Sequence, residues 1–145
     1  MRGENPLVIT ELKSGFAVIG DTQFLPGYCV LLPSQNVCSL DQLSYKQRSE
    51  YLLDMSILGE AIQKALNPRR INYSIYGNTD AFLHAHVFPR YEWEREERKF
   101  MPVWQYPKEM WSDEQNHYSN EKHGELRANI RSHLLEMVKE AYTEE

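Results

Sequence analysis

The sequence predicts an α+β fold: an antiparallel sheet with one long central helix and a C-terminal helix. Short apolar runs near the N-terminus and in the middle of the chain have strand length and strand punctuation. Two longer segments repeat their apolar residues at helical spacing. The order is strands, helix, strands, helix, which is not the repeated strand–helix–strand order of a parallel sheet.

The first strand is Phe16-Ala17-Val18-Ile19, closed by Gly20-Asp21. Tyr28-Cys29-Val30-Leu31-Leu32 is the second, opened by Pro26-Gly27 and stopped by Pro33. Few of its positions alternate, which predicts burial on both faces. Residues 41–66 read as a long helix with a prelude, and Ser44 with Gln47 makes a capping box. Tyr51, Leu52, Met55, Leu58, Ile62 and Leu66 recur along it, and Asn67-Pro68 stops it. Residues 71–76 alternate with period two and end at the turn signal Gly77-Asn78. Residues 82–88 read as the next strand, ended by Pro89. Residues 91–99 are nearly all charged and predict a solvated loop. Residues 100–111, rich in aromatics and holding Pro102 and Pro107, predict irregular coil. Leu126, Ile130, Leu134, Met137 and Ala141 mark an amphipathic helix over residues 121–142.

A chain of 145 residues has the size of one domain, so residues 1–145 are expected to form a single unit with 112–145 as a C-terminal helical extension. The net charge of −5 argues against general nucleic-acid binding, which needs a basic footprint. It is compatible with a nucleotide, because local donors can hold phosphate. No segment has the apolar length of a membrane span, and the N-terminal residues lack an apolar run. The expected location is the cytoplasm, with Cys29 and Cys38 as reduced thiols.

The chemistry concentrates in Phe82-Leu83-His84-Ala85-His86-Val87-Phe88-Pro89-Arg90. Side chains alternate along a strand, so His84 and His86 share a face with Phe82 and Phe88. Leu83, Ala85 and Val87 take the other, apolar face. Three readings stay open on spacing alone. The histidines are core residues satisfied by carbonyls; or they bind a metal with a third ligand such as His117, His123 or Asp80; or one is a nucleophile. A neutral imidazole is a competent nucleophile when its other nitrogen is held by an acceptor.

The same segment resembles the signature of the histidine triad (HIT) family, H-x-H-x-H followed by two apolar residues and often Pro-Arg. Phe82 stands at the first triad position, His84 at the middle and His86 at the last. Phe24-Leu25-Pro26-Gly27-Tyr28 and the strand after it look like the family's F-P-G-[HY] turn. Asn72, with Gly77-Asn78 after it, looks like the N-x-x-x-x-G-N segment of bacterial members, and Pro102-Val103-Trp104 like their Pro-x-Trp. These motifs run in order from Asp21 to Trp104, and the bacterial hydrolase branch fits best.

The resemblance implies a five-stranded antiparallel sheet and a homodimer. It implies cleavage or transfer at the α-phosphorus of a nucleoside phosphate ester, anhydride or phosphoramidate, for instance a dinucleoside polyphosphate. His84 would form a nucleotidyl-histidine intermediate and His86 would support it or contact the phosphate. Asp21 matches the residue that commonly holds ribose hydroxyls, Asn72 a polar residue of the preceding strand, and Asn78 and Thr79 the turn near the phosphate. No protein-bound metal or tightly held cofactor is implied; Mg²⁺ would ride with a polyphosphate substrate. A non-catalytic nucleotide-binding protein with the same pocket remains the alternative, followed by a metal-binding protein using His84 and His86.

Overall fold

The computed structural model describes residues 7–78 and 81–143. Five strands form one antiparallel sheet: β1 (Val8–Glu11), β2 (Gly15–Ile19), β3 (Cys29–Pro33), β4 (Arg70–Ser74) and β5 (Ala85–Arg90). Their spatial order is β1-β2-β3-β5-β4, so β5 lies inside the sheet and β4 is an edge. The predicted α+β architecture is the one observed.

Helix α1 (Tyr45–Leu66) begins as its sequence requires. The Ser44 hydroxyl accepts from the Gln47 N–H at 3.1 Å, and the Gln47 side chain accepts from the Ser44 N–H at 3.0 Å. It ends at Asn67, whose φ of 51° is left-handed, a conformation Asn tolerates better than most residues. Two short helices follow the sheet, α2 (Glu96–Lys99) and α3 (Lys108–Ser112), and the chain closes with α4 (Asn120–Thr143).

Alternation divides the sheet into two faces. Ala17, Ile19, Cys29, Leu31, Ala85 and Val87 are buried against Tyr51, Leu58, Ala61 and Ile62 of α1 and Ile130 and Leu134 of α4. On the opposite face, Phe88 packs with Phe24, Leu25, Tyr28 and Val103 in a second, smaller core. Coil and short helical turns, rather than a long helix, cover that face. This is why β3 alternates between buried and half-buried positions instead of burying both faces as predicted.

Three further expectations change. The strand expected over 82–88 begins at Ala85 and runs through Pro89 to Arg90. Leu83 donates instead to the Val37 carbonyl at 2.9 Å, outside any ladder. Pairing with β3 ends at Val87, so Pro89 sits where β5 has a partner on one side only, a place that tolerates proline. The segment after β5 is not simply solvated: Glu94 is 5% exposed and α2 forms within it. The aromatic coil after it contains α3 and a 3₁₀ turn, Val103–Gln105. Strand β1 was not anticipated. Its outer edge is covered by α4, whose Arg127 and Arg131 donate to the Val8 and Ile9 carbonyls.

A buried carboxylate joins three elements. Asp54 of α1, fully buried, accepts from the Ser14 N–H at 2.9 Å, from the Ser14 hydroxyl at 2.6 Å and from the Tyr142 hydroxyl of α4. Each buried donor left unpaired costs about 1–3 kcal/mol. Asp54→Ala is therefore expected to lower stability by roughly 3 kcal/mol and the melting midpoint by roughly 10 °C, read by circular dichroism. A loss under about 1 kcal/mol would show that the latch carries no weight.

Candidate functional site

The second face of the sheet carries the histidines. Register pairs His86 with Val30 of β3 and Ser74 of β4, and Phe88 with Asn72. Paired residues of an antiparallel ladder share a face, so His86, Phe88, Asn72 and Ser74 project together. His84 lies just before β5, yet its ring meets His86 edge to face, with centroids 4.7 Å apart. The structure thus brings the two imidazoles into contact, although His84 lies outside the strand whose alternation led to that expectation.

His84 folds back on its own backbone. Its Nδ1 lies 2.7 Å from the carbonyl oxygen of Phe82. A carbonyl can only accept, so Nδ1 carries the proton and donates. In the neutral ring Nε2 then keeps its lone pair. The group that orients His84 is a main-chain oxygen. This local bond also explains why residues 82–84 leave the ladder.

His86 is set the other way. The Tyr28 hydroxyl lies 2.7 Å from His86 Nδ1 and makes no other hydrogen bond among the described residues. Burial, and then the charges of Asp21 and Cys29, push the Tyr28 phenol far above its ordinary value, so it stays protonated. Burial, and then neighbouring His84, push His86 down to about 4. With no other acceptor for the Tyr28 proton among the described residues, Nδ1 of the neutral His86 accepts it, and His86 then carries its own proton on Nε2. The two rings therefore present opposite groups, a bare Nε2 on His84 and an N–H on His86.

Aromatic rings enclose this pair. Tyr28 stacks on Phe88 at 4.2 Å, Phe88 lies parallel to His86 at 5.7 Å, and Trp104 meets His86 edge-on at 4.9 Å. Trp104 in turn stacks on Trp111 at 5.2 Å. Tyr28 fits because Gly20 lies beneath it, where a Cβ would come within 2.2 Å of the ring. Buried Gln23 holds the intervening turn. Its amide donates to the Gly20 and Tyr28 carbonyls and its oxygen accepts from Gly27, a glycine at φ 100°.

The other predicted site residues are placed unevenly. Asn72 shares the face of His86, but its carbonyl oxygen accepts from Arg90 at 2.9 Å. Asp21 is exposed, with its main-chain oxygen accepting from the Tyr118 N–H at 2.8 Å. Asn78 is exposed on the connector between β4 and β5. Thr79 and Asp80 lie outside the described residues. No cluster of three His, Cys, Asp or Glu able to hold a metal occurs among the described residues. A cavity of about 480 Å³ lies along β4, lined by Asn72, Ser74, Tyr76, Phe100 and Met101; neither histidine lines it, and it meets their surroundings at Phe88 and Trp104.

Sequence reasoning missed Tyr28 as the partner of His86, and it missed Gln23 and the pair Arg90–Glu94. A polar residue three positions before Pro26-Gly27 was a legible hint for Gln23; nothing local marked Glu94 among its charged neighbours.

Proton NMR of the His86 ring should show a midpoint near pH 4, and a midpoint at the ordinary 6.5 would contradict its burial. Because the unfolded ring takes its proton near 6.5 and the folded one near 4, the His86 contribution to stability is whole above pH 6.5 and lost as pH falls towards 4.

No family model matches the chain, and no curated protein matches it. Solved structures do. A histidine triad protein from Sinorhizobium meliloti superposes with a TM-score of 0.74 at 20% identity, covering 88% of each chain. One from Marinobacter aquaeolei gives 0.70 at 20% identity over 90% of this chain and 89% of that one. A diadenosine triphosphate hydrolase from Plasmodium falciparum gives 0.62 at 15% identity over 90% and 77%. The five-stranded sheet with its helices is therefore the fold of the histidine triad proteins.

Proposed function

We propose that this chain is a nucleotidyl hydrolase or transferase of the histidine triad type, of its bacterial branch, with Phe82 in place of the first triad histidine. The observation that carries this reading is the hydrogen bond from His84 Nδ1 to the Phe82 carbonyl, which leaves Nε2 bare. In the first displacement His84 Nε2 attacks the α-phosphorus of a nucleoside phosphate ester, anhydride or phosphoramidate. The N–P bond forms as the bond to the leaving group breaks, and the leaving group departs with the electron pair. In the second, water or another acceptor attacks the same phosphorus, releases the nucleotide and returns Nε2 to its free state. The N–H of His86 supplies a donor to the phosphate oxygens beside His84.

The likeness to a diadenosine triphosphate hydrolase supports a dinucleoside polyphosphate as one substrate class. Asp21, Asn72, Asn78 and Thr79 are the proposed contacts to ribose and phosphate. Mg²⁺ would enter only with a polyphosphate. The exposed edge of β4, with Tyr73 on it at 42% exposure and Tyr76 and Phe100 beside it at 58% and 70%, supports a homodimer as the working form. The same reading keeps the protein in the cytoplasm.

Phe82 enters this mechanism through its carbonyl, so its side chain should be dispensable. Turnover of an adenosine phosphoramidate should fall by roughly a thousandfold or more in His84→Ala, with AMP binding by calorimetry retained. Phe82→Ala should stay within about tenfold of the parent rate. A parent protein that binds AMP but turns over no such substrate would favour the non-catalytic alternative. Stoichiometric zinc lost in His86→Ala would favour the metal-binding one.

A further inference from the structure

Arg90 and Glu94 form a buried ion pair at the end of β5, with side chains 3% and 0% exposed. An arginine this close to a phosphate-handling site invites the role of phosphate ligand. Its hydrogen bonds exclude that. A guanidinium has five N–H donors. Nε donates to Glu94 at 3.1 Å, one terminal nitrogen to Asn72 at 2.9 Å and the Met101 carbonyl at 2.7 Å, and the other to Glu94 at 2.8 Å and the Arg98 carbonyl at 2.9 Å. All five donors are used within the protein.

Glu94 is bound as completely. Besides Arg90 it accepts from the Tyr91 N–H and the Tyr106 hydroxyl, each at 2.6 Å. Burial alone would raise its carboxyl, but Arg90, Tyr106 and the Tyr91 N–H outweigh burial and hold it below the ordinary range. The pair therefore pins the returning chain at Arg98, Met101 and Tyr106. Trp104 lies between the last two of these anchors. Trp104 is 39% exposed, so its own burial gives it only a weak hold, yet its ring stands edge-on against His86.

We propose that Glu94, acting with Arg90, is a positioning residue for the site: the pair fixes the chain over residues 98–106 so that Trp104 walls His86 off from water. The proposal rests on the reading of His86 as the neutral partner of His84. The titratable groups facing His86 are Tyr28 from the start of the β3 segment and His84 from the segment before β5. Phe88, Trp104, Val30 and Ser74 surround it on its other sides without charge. Neither Arg90 nor Glu94 touches the ring, so their effect must pass through Trp104.

The direct test is NMR titration of the His86 ring in the full chain, which needs no substrate and so reads the clamp even if the proposed reaction fails. Glu94→Gln keeps the shape but turns an acceptor into a donor facing Arg90. Its His86 midpoint should rise by about one pH unit or more as water reaches the ring. Trp104→Ala should raise it by a similar amount with the clamp intact. With a phosphoramidate substrate, the acid limb of the rate profile should move by the same interval, while a defect in folding alone would scale the rate without moving it. Should Glu94→Gln fail to fold, Tyr106→Phe removes one anchor and should shift the midpoint in the same direction. A folded Glu94→Gln or Tyr106→Phe whose His86 titrates as in the parent overturns the proposal. So does a Trp104→Ala variant with an unmoved midpoint.

Discussion

Strand β5 is constrained on both faces and along both edges. It pairs with β3 and β4, sends Ala85 and Val87 into the helix-covered core, and presents His86 and Phe88 to the aromatic side. Its residues cannot slip by one position, because a slip would move the histidine into the apolar core and Val87 towards the site. The apolar residues thus fix the register, and the register aims the imidazole. Beyond Val87 the strand loses β3 and ends in Arg90, whose guanidinium ties the following chain back over the same face. The core, the site and its covering wall all take their positions from these six residues.

The two histidines differ because their neighbours differ. One nitrogen of His84 meets a carbonyl, which only accepts; the matching nitrogen of His86 meets a phenol whose proton has no other acceptor among the described residues, and so receives it. Two rings of the same chemistry, with centroids 4.7 Å apart, are thereby assigned opposite tautomers. One offers a lone pair and the other a proton, the combination that the proposed attack on phosphorus would use. A backbone oxygen serves at residue 82 whatever side chain stands there, so a phenylalanine at that position leaves the assignment intact.

What the sequence made legible was local or periodic. The capping box of α1, its stop at Asn67-Pro68 and the contact between the histidines depend on spacing within a few residues, and each is found in the structure. The misses depend on contacts that no spacing rule marks, several of them distant in the chain. Strand β1 has four residues and owes its place to pairing with β2 and to arginines of α4. Residues 82–84 alternate like a strand, but a side-chain bond to the backbone and a contact to Val37 take them out of the ladder. Glu94 sits in a run of charges that reads as solvated, and only the placing of Arg90, Tyr91 and Tyr106 around it makes burial affordable. Tyr28 could be read as a turn residue, while its hydroxyl's partner lies 58 positions away.

The central claim is that the bare Nε2 of His84 becomes covalently attached to phosphorus. Rapid quenching of the parent protein, mixed with a nucleoside phosphoramidate radiolabelled at the α-phosphorus, tests it most directly. The account predicts transient label on the peptide holding His84, stable in base and released by acid as a phosphorus–nitrogen bond requires. Turnover with no protein-bound label at any quench time, or label on a residue other than His84, would contradict it.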